Sequence, residues 1–558
     1  MKHWLALSIS AVLAASLAGC GGSSSSDRQN PPPSEQTPTS LSLSLLGRYN
    51  TNQFDESAAE ITAYDAAGQR VFVVNAQKGA VDVPDVSQPG TPVFLEELSV
   101  TDLVPGATVN SVALHGNLMA LAVEAADKTA HGHMALYNLS DLTRISAVEV
   151  GALPDMLVFT PDGRYVLVAN EGEPSDDYQI DPEGSISIVD VTDPANPTVD
   201  TADFAAFNGQ EDSLRASGVR IYGPNASAAQ DFEPEYIAVS ADSSTAWAIL
   251  QENNAFARID IATATVTDIL PLGYKDIGAA GNGIDPSDED GVININTFAG
   301  VKGMYLPDAI AAYDIDGATY IVTANEGDAR AWGEDNDAYW GSSSDCSDAD
   351  PSQGFVEELR VKHLVHSSGF ARRCGDDMPP QLINLAAGGL LNPDVFGYCG
   401  ATAGDAGDCR ADDVLGRLNI SWVMGYRQNA DGTPVMFNSA GNEDINGDRI
   451  MYDELYAYGG RSFSIWDEDG QLVWDSGDAF EQYLASDECM VGLERGIPCK
   501  NYFNSGHDEG DAFDSRSDAK GPEPEGVALG KIGDKTFAFI GLEPVSYTHL
   551  TLPTNREV

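Results

Sequence analysis

One hairpin phrase recurs along this chain, and its recurrence limits the fold to repeat architectures. The clearest copy spans residues 152–178. Pro154-Asp155 begin a short apolar strand, and a second apolar strand ends at Asn170-Glu171. Between them, Pro161-Asp162-Gly163 has the composition of a tight turn. Because an antiparallel hairpin brings its two ends together, Asp155 and Glu171 are predicted to lie at the same edge of a sheet.

Six copies of this unit can be recognised. Each begins with an acid or amide, here called the opener, and ends with another, the closer. The pairs are Glu60 and Asn75, Asn110 and Glu124, Asp155 and Glu171, Glu235 and Glu252, Asp308 and Glu326, and Glu525 and Glu543. Three or four short strands per unit predict an all-β fold, a β-propeller with loop insertions. A pair of β-sandwiches is the alternative, but sandwiches do not reuse one hairpin phrase.

The interval between the fifth and last units is longer than one unit needs. Residues 346–413 are predicted to be a cysteine-bearing insertion that displaces the third strand of the fifth unit to 415–420. Two further strands, 461–466 and 471–474, are assigned to the space between units. Because residues 308–525 leave room for at least one more unit, we estimate seven blades.

The openers and closers predict a metal site. In a propeller the first strand of each blade lines the axis, so its start and the end of the second strand lie on one face. The acids placed there are Asp155, Glu171, Glu235, Glu252, Asp308, Glu326, Glu525 and Glu543. So many carboxylates cannot all ionise side by side without cations or raised pKa values. Their hard oxygens favour Ca²⁺, with Mg²⁺ or another divalent cation as the alternative. The structural alternative is that Pro-Asp and Pro-Glu start strands and cap local amides.

A second candidate site has the spacing of a calcium loop. Asp444, Asn446 and Asp448 occupy positions one, three and five, and Asp453 follows near the end. The pattern departs from an EF-hand, because Leu455 stands where the bidentate Glu belongs. We interpret it as a shortened calcium loop with a structural role, and a polar turn is the alternative.

Three bases stand out in a base-poor chain and lie close to predicted strand starts: Arg461, Arg516 and Lys520. Bases beside a metal cluster suit a phosphate or carboxylate group. The alternative is that they pair with neighbouring acids. The sequence contains no GxSxG elbow, P-loop or HExxH motif, so no catalytic residue is assigned.

Charge limits the partners. The chain carries 86 acids and 30 bases, a net charge of −56, which excludes nucleic acid and anionic membrane surfaces as partners. It is compatible with bound cations, and adaptation to a salty medium is the alternative reason for the bulk charge. We expect a monomer whose surface or small-molecule ligand the sequence does not identify.

The N-terminus has the pattern of an exported lipoprotein. An apolar run leads to Leu17-Ala18-Gly19-Cys20, a lipobox, so residues 1–20 are predicted to be a signal peptide with lipid added at Cys20. An ordinary cleaved signal is the alternative. Gly21 after the cysteine favours the outer membrane, and residues 21–40 form a Ser- and Pro-rich tether.

Six cysteines remain after Cys20, an even number that indicates disulfides in an exported chain. Pairing of sequence neighbours is the simplest of the 15 connectivities. It gives Cys346–Cys374, Cys399–Cys409 and Cys489–Cys499. At the other end of the chain, residues 545–558 do not continue the repeat and resemble a translated sequencing adapter, with a native disordered tail as the alternative.

Several phrases carry a family resemblance: VGALPDMLVFTPDG, VANEGEPSDDY, DFEPEYIAVS, TANEGDAR, YGGRSFSIWD and KGPEPEGV. From about residue 41 to 544 the chain resembles the choice-of-anchor I domain family. The resemblance implies an exported propeller attached to the surface, and some members carry alkaline phosphatase or phytase-like names. We therefore expect a calcium-binding envelope lipoprotein with an acidic, metal-lined mouth. The alternatives are a metal-dependent phosphomonoesterase and a structural or adhesive surface module.

Overall fold

The structure is a computed structural model that describes residues 44–51, 61–341, 347–366, 368–370, 378–491, 496–506 and 512–543, and the backbone of 550–553. Cys20, Glu60, Cys346 and Cys374, the signal peptide, the tether and most of the C-terminal tail lie outside these residues. The fold is mostly β, with 40% strand and 11% helix. The all-β class is therefore confirmed at this level.

Four antiparallel sheets, each of four strands consecutive in sequence, form the first half of the described chain. Sheet one contains β1 (Thr62–Asp65), β2 (Arg70–Asn75), β3 (Ala80–Asp85) and β4 (Val93–Ser99). Sheet two contains β5 (Thr108–His115), β6 (Leu118–Glu124), β7 (His131–Asn138) and β8 (Arg144–Ala152). Sheet three contains β9 (Pro154–Phe159), β10 (Tyr165–Asn170), β11 (Ser185–Asp190) and β12 (Thr198–Asp203). Sheet four contains β13 (Pro234–Val239), β14 (Thr245–Leu250), β15 (Ala255–Asp260) and β16 (Thr265–Pro271).

The remaining strands follow in chain order. They are β17 (Tyr274–Asp276), β18 (Val301–Met304), β19 (Ile310–Ile315), β20 (Ala318–Asn325), β21 (Ala331–Trp332), β22 (Phe355–Val356), β23 (Glu358–Arg360), β24 (Gly388–Leu391), β25 (Asn419–Ser421), β26 (Arg449–Tyr452), β27 (Leu455–Ala457), β28 (Ser462–Asp467), β29 (Leu472–Asp475), β30 (Met490–Val491), β31 (Ile497–Pro498), β32 (Pro524–Ile532), β33 (Lys535–Leu542) and β34 (Leu550–Pro553). Sheet five is β19-β20-β28-β29, and sheet six is β32-β33-β34. A mixed sheet, in the order β17-β18-β27-β25-β23, lies outside this series.

Helices are short and lie in the connections. The α-helices are α1 (Glu211–Ser217), α2 (Ala228–Asp231), α3 (Asp337–Trp340), α4 (Val361–Leu364), α5 (Pro380–Leu385), α6 (Pro393–Phe396) and α7 (Ala479–Leu484). The 3₁₀ helices are Ala76–Lys78, Ala205–Phe207, Gly397–Cys399, Gly407–Arg410 and Cys499–Tyr502.

Consecutive sheets pack against each other through shared hydrophobic cores. One core joins sheets three and four, where Leu167 and Ile188 pack with Ile237 and Ile259. Corresponding cores lie between sheets one and two, two and three, four and five, and five and six. The first strands also follow one another in contact, in the order β1, β5, β9, β13, β19 and β32. Since each fully buried aliphatic side chain contributes about 1.5–3 kcal/mol, these cores hold each sheet to its neighbour.

The third strand of the fifth unit differs from the prediction. Its second strand, β20, pairs with β28, whose Ser462 lies opposite Asn325. The third strand of the unit is therefore 462–467, and the predicted 415–420 is wrong, because Asn419–Ser421 pairs within the mixed sheet. The strands assigned to the space between units complete sheet five instead. The intervening chain has a separate core around Val361, Leu418 and Tyr452.

Two of the predicted disulfides lie in the described residues. Cys399–Cys409 and Cys489–Cys499 are both bonded, with a sequence separation of 10 in each case. Pairing of sequence neighbours is thus confirmed for these four cysteines. The Cys346–Cys374 prediction falls outside the described residues.

Candidate functional site

In sheets three, four and six the strand registers bring the opener and the closer to the same edge of the sheet. Pro154 lies opposite Asn170, which places Asp155 next to Glu171 as predicted. In sheet four, Pro234 lies opposite Leu250, immediately before Gln251-Glu252. In sheet six, Pro524 lies opposite Leu542, immediately before Glu543. Because the first strands contact one another in series, the openers of sheets three to six share one side of the fold, here called the acidic face.

A repeated asparagine network fixes the closers. In sheet three the buried Asn170 amide donates to the hydroxyls of Ser185 and Ser187, at 3.2 and 2.9 Å. In sheet five Asn325 donates in the same way to Ser462 and Ser464, at 3.1 and 2.8 Å. Each asparagine ends a central strand and directly precedes a closer. Satisfied buried amides of this kind hold the start of the following loop in one position.

The residue before the opening proline adopts an unusual backbone conformation in three units. Leu153, Leu306 and Glu523 have φ values of 47°, 42° and 40°. Left-handed conformations of non-glycine residues cost about 1–3 kcal/mol and persist where the surrounding structure enforces them. The same strained position therefore recurs at the entry to the acidic face.

Three carboxylates converge at the sheet-six side of this face. Glu326, Glu523 and Glu543 each place an oxygen within 4.8 Å of the others, and we call them the three-glutamate cluster. Burial raises the pKa of Glu523 to about 7 despite a 2.7 Å hydrogen bond from Arg516 Nε. Burial also raises the pKa of Glu326, although Lys520 Nζ lies 3.0 Å from its carboxylate. Two bases thus offset only part of the cluster's charge.

A second group lies at the sheet-four side. Glu233, Glu235 and Glu252 are 1%, 9% and 7% exposed, and we call them the buried glutamate group. One carboxylate oxygen of each, Glu233 Oε1, Glu235 Oε2 and Glu252 Oε2, has no hydrogen-bond partner among the described residues. Burial raises the pKa of Glu252 to about 7 and that of Glu235 well above its usual range, with a further increase from Glu252. An unpartnered buried oxygen is costly, so these positions suit an added ligand.

The predicted acids Glu171 and Asp308 join these groups. Burial raises the pKa of Glu171 well above its usual range, and the charges of Glu173 and Asp155 raise it further. Burial does the same at Asp308, with contributions from Glu326 and Glu525. The openers therefore interact across neighbouring sheets, although the Glu525 side chain itself is exposed.

A cavity of about 600 Å³ opens beside the buried glutamate group. Its lining includes Glu252, Asp328, Arg330 and Trp332. Arg330 is fully buried and pairs with Asp231 at 3.0 Å, but its Nε and Nη1 make no hydrogen bond with the described residues. The cavity therefore combines hard carboxylate oxygens with guanidinium donors.

Glu233, Glu523 and Arg330 are not among the site residues predicted from the sequence. A signal for the two glutamates was present, because the opener is preceded by Glu-Pro in both Glu233-Pro234-Glu235 and Glu523-Pro524-Glu525. The Glu-Pro-Glu repetition could have placed two acids per unit at this edge. Arg330 lies in the loop after Glu326, and no spacing pattern distinguished it.

The three predicted anion-binding bases all pair with protein groups. Arg461 is 2% exposed and donates to Glu481, at 2.9 Å, and to the carbonyls of Asp285, Ser517 and Ala519. It therefore ties chain segments together. Lys520 Nζ contacts Asp328 at 2.8 Å as well as Glu326. Lys520 and Arg516 lie at the three-glutamate cluster, and their anion role stays a prediction.

The acids of the predicted calcium loop have local partners. Asp444 Oδ1 accepts from the Asn446 backbone N–H at 2.9 Å. Asp448 pairs with Arg449 at 2.9 Å, and Asp453 binds Arg427 at 2.8 and 2.9 Å. The two later acids are thus engaged by arginines, and a cation in this loop stays a prediction.

Fold and site together define a β protein of consecutive sheets with one acidic face. The chain belongs to the choice-of-anchor I domain family, which matches residues 60–551. Membership in this family indicates an exported surface protein. Among the described residues, no helix has the length and apolar character needed to span a membrane.

Two curated relatives and one solved structure show how far the likeness extends. A mesenchyme-specific cell surface glycoprotein of Strongylocentrotus purpuratus is 26% identical over 291 residues, 50% of this chain and 29% of the relative. Gigasin-3a of Magallana gigas is 32% identical over 133 residues, 24% of this chain and 37% of the relative. The matches thus span about a third of the length of these relatives. Hydrazine synthase of Kuenenia stuttgartiensis aligns over 91% of this chain and 99% of its own, with 14% identity and a TM-score of 0.33, too low to support an assignment.

Proposed function

We propose that this exported surface protein is a divalent-cation-binding module whose acidic face presents bound Ca²⁺ to a ligand. The observation that carries the proposal is the three-glutamate cluster, whose oxygens lie within 4.8 Å of one another. Ca²⁺ takes carboxylate oxygens at about 2.3–2.6 Å, so one ion can contact all three. The unpartnered oxygens of the buried glutamate group support a second ion on the same face.

We further propose that the six sheets are the blades of a closed β-propeller. The shared cores and the series of first-strand contacts support this arrangement. Six blades are one fewer than the seven estimated from the sequence. The difference arises because β28 and β29, which were assigned to the space between units, complete sheet five. The acidic face is then the mouth of the propeller. Lipid at Cys20 would anchor it to the cell envelope, in the outer membrane.

Equilibrium dialysis against Ca²⁺, followed by elemental analysis of the protein, tests the cation proposal. We expect the wild type to bind Ca²⁺ and the E326Q/E523Q variant to lose at least one ion per chain. Glu96→Gln is a matched control, because Glu96 is exposed on the outer strand β4. Equal metal content in E326Q/E523Q and wild type would refute the proposal and favour a structural or adhesive module.

A metal-dependent phosphomonoesterase is the second candidate, and Arg330 favours it. Its Nη1 makes no hydrogen bond with the described residues and its Nε lies 3.9 Å from Glu233 Oε2, and guanidinium nitrogens of this kind suit the oxygens of a phosphate group. The carboxylates would hold a divalent cation, whose chemistry is to polarise phosphate and activate water. Hydrolysis of a generic phosphomonoester by the full chain, with and without chelator, separates the candidates. Absent or chelator-insensitive turnover would exclude the esterase and leave cation binding intact.

A further inference from the structure

A second set of buried oxygens lies in two loops that precede sheet six and shares no residue with the acidic face. One loop, residues 283–296, contains Asp285, which is fully buried. The other includes the described residues 503–506 and 512–517 and contains Asn504, Ser505 and Asp514, which are 0%, 3% and 1% exposed. None of these residues belongs to a hairpin unit, so the repeat does not account for them.

The Ser517 hydroxyl connects the Asn504 amide and the Asp514 carboxylate of the second loop. Asn504 Nδ2 donates to Ser517 Oγ at 2.9 Å, and Ser517 Oγ donates to Asp514 Oδ1. This contact turns the amide and the carboxylate toward each other. Asn504 and Asp514 have φ values of 41° and 71°, so the backbone is strained at both positions.

Three oxygens of this loop have no hydrogen-bond partner within the described residues: Asn504 Oδ1, Ser505 Oγ and Asp514 Oδ2. A buried oxygen without a partner lowers the stability of the fold unless something binds it. All three are acceptors of the hard type that Ca²⁺ prefers. The strain and the missing partners thus occur at the same place.

The Asp514 carboxylate and the Asp285 carboxylate of the other loop have no compensating base in the described part of the chain, and Asp285 accepts hydrogen bonds from the backbone N–H groups of Asn294, at 2.6 Å, and Ser287, at 3.4 Å. Burial, followed by the charge of Asp285, raises the pKa of Asp514 to about 8, and Asp290 and Glu481 add to the effect. No described lysine, arginine or histidine forms an ion pair with the Asp514 or Asp285 carboxylate. Arg461 Nη1 donates to the backbone carbonyl of Asp285 and to the Glu481 carboxylate, so it does not neutralise the Asp285 side chain. Among the described residues, no cationic side chain therefore neutralises Asp285 or Asp514.

We propose that Asp285, Asn504, Ser505 and Asp514 form a structural site for one divalent cation, with Ca²⁺ as the expected ion. The ion would join loop 283–296 to the second loop, from which the chain continues directly into Glu523 and β32. It is independent of the ions proposed at the acidic face, since it shares no ligand with them. Its role would be to fix the entry of sheet six.

Calcium content and thermal unfolding of the full chain test this site. We expect Asp514→Asn, which keeps the side-chain shape, to bind one Ca²⁺ fewer per chain than wild type, or to weaken one site at least about tenfold, because affinity follows ligand charge. If D514N fails to fold, the same Ca²⁺ and thermal unfolding measurements on Asp285→Asn test the site. Asp200→Asn is the matched control, because Asp200 is exposed in β12. E326Q/E523Q should keep this ion, so the two proposals fail separately.

Two results would overturn the site. The first is that D514N and D285N keep the wild-type Ca²⁺ content and, with and without chelator, unfold at the wild-type temperature or above it. The carboxylates would then share a proton instead of a metal. If the ion lost in D514N is also removed from wild type by moderate NaCl, it was an adventitious ion only. An anomalous peak for Ca²⁺ between Asp285 and Asp514 in crystals of the wild type would support the site directly, and its absence at saturating Ca²⁺ would refute it.

Discussion

Replacing Glu523 by glutamine removes one charge from the three-glutamate cluster while keeping the shape of the side chain. Glu523 is 1% exposed, and burial raises its pKa from 4.5 to about 7. A difference of about 2.5 pKa units corresponds to about 3 kcal/mol at about 1.4 kcal/mol per unit. In metal-free protein this is the cost of ionising Glu523 in the folded state.

The sign of the effect follows from the direction of the shift. Because the folded pKa of Glu523 lies above the unfolded one, the neutral carboxyl stabilises the fold at low pH, and this stability is lost as the pH rises from 4.5 to about 7. The amide introduced by E523Q carries no charge at any of these pH values and avoids the loss. With chelator, E523Q should therefore match wild type near pH 4.5 and exceed its free energy of unfolding by up to about 3 kcal/mol at about pH 8.

Calcium should reverse this order, because the ion at the three-glutamate cluster stabilises the folded wild type and is lost in E523Q. Urea unfolding followed by tryptophan fluorescence, at both pH values and with chelator or Ca²⁺, measures all four conditions. Glu96→Gln should follow wild type throughout. A chelated E523Q that is less stable than wild type at the higher pH, or one that Ca²⁺ stabilises as strongly as wild type, would refute the reasoning.

Three other predictions concern the frame of the site. C489S/C499S should lose about 3 kcal/mol of unfolding free energy, as expected for a ten-residue loop, and an unchanged urea midpoint would contradict a stabilising disulfide. Asn325→Ala should cost about 2 kcal/mol or more, because two buried serine hydroxyls lose the amide that donates to them and keep only their bonds to Asp475; a loss below about 0.5 kcal/mol would show that water replaces the amide. Removing Ca²⁺ should lower the melting temperature more at about pH 8 than at about pH 5, because Glu252, with a pKa of about 7, ionises between them, and equal shifts at the two pH values would count against cation binding at the buried carboxylates.

The repeat made much of this fold predictable. Turn residues and apolar runs defined the hairpin around Asp162, and antiparallel pairing then placed Asp155 beside Glu171. These are local relations, so they could be inferred without knowing how the sheets pack. The disulfides Cys399–Cys409 and Cys489–Cys499 were also local, since the sequence separation of each pair is 10.

What escaped prediction depends on contacts between distant segments. The pairing of β20 with β28 bridges more than a hundred residues, and a strand-like run at 415–420 offered a nearer partner. Glu233 and Glu523 became candidates only when their burial and neighbours were known. Arg461 illustrates the opposite error, because its position near a strand start suggested a ligand contact, whereas its donors bind Glu481 and backbone carbonyls.

The measurement that tests the central claim most directly is an anomalous difference map from crystals of the full chain grown with Ca²⁺. Bound Ca²⁺ should give a peak about 2.3–2.6 Å from carboxylate oxygens of Glu326, Glu523 and Glu543, and E326Q/E523Q crystals should lack it. If the three carboxylates remain together at saturating Ca²⁺ and no peak lies between them, the acidic face does not hold a cation there.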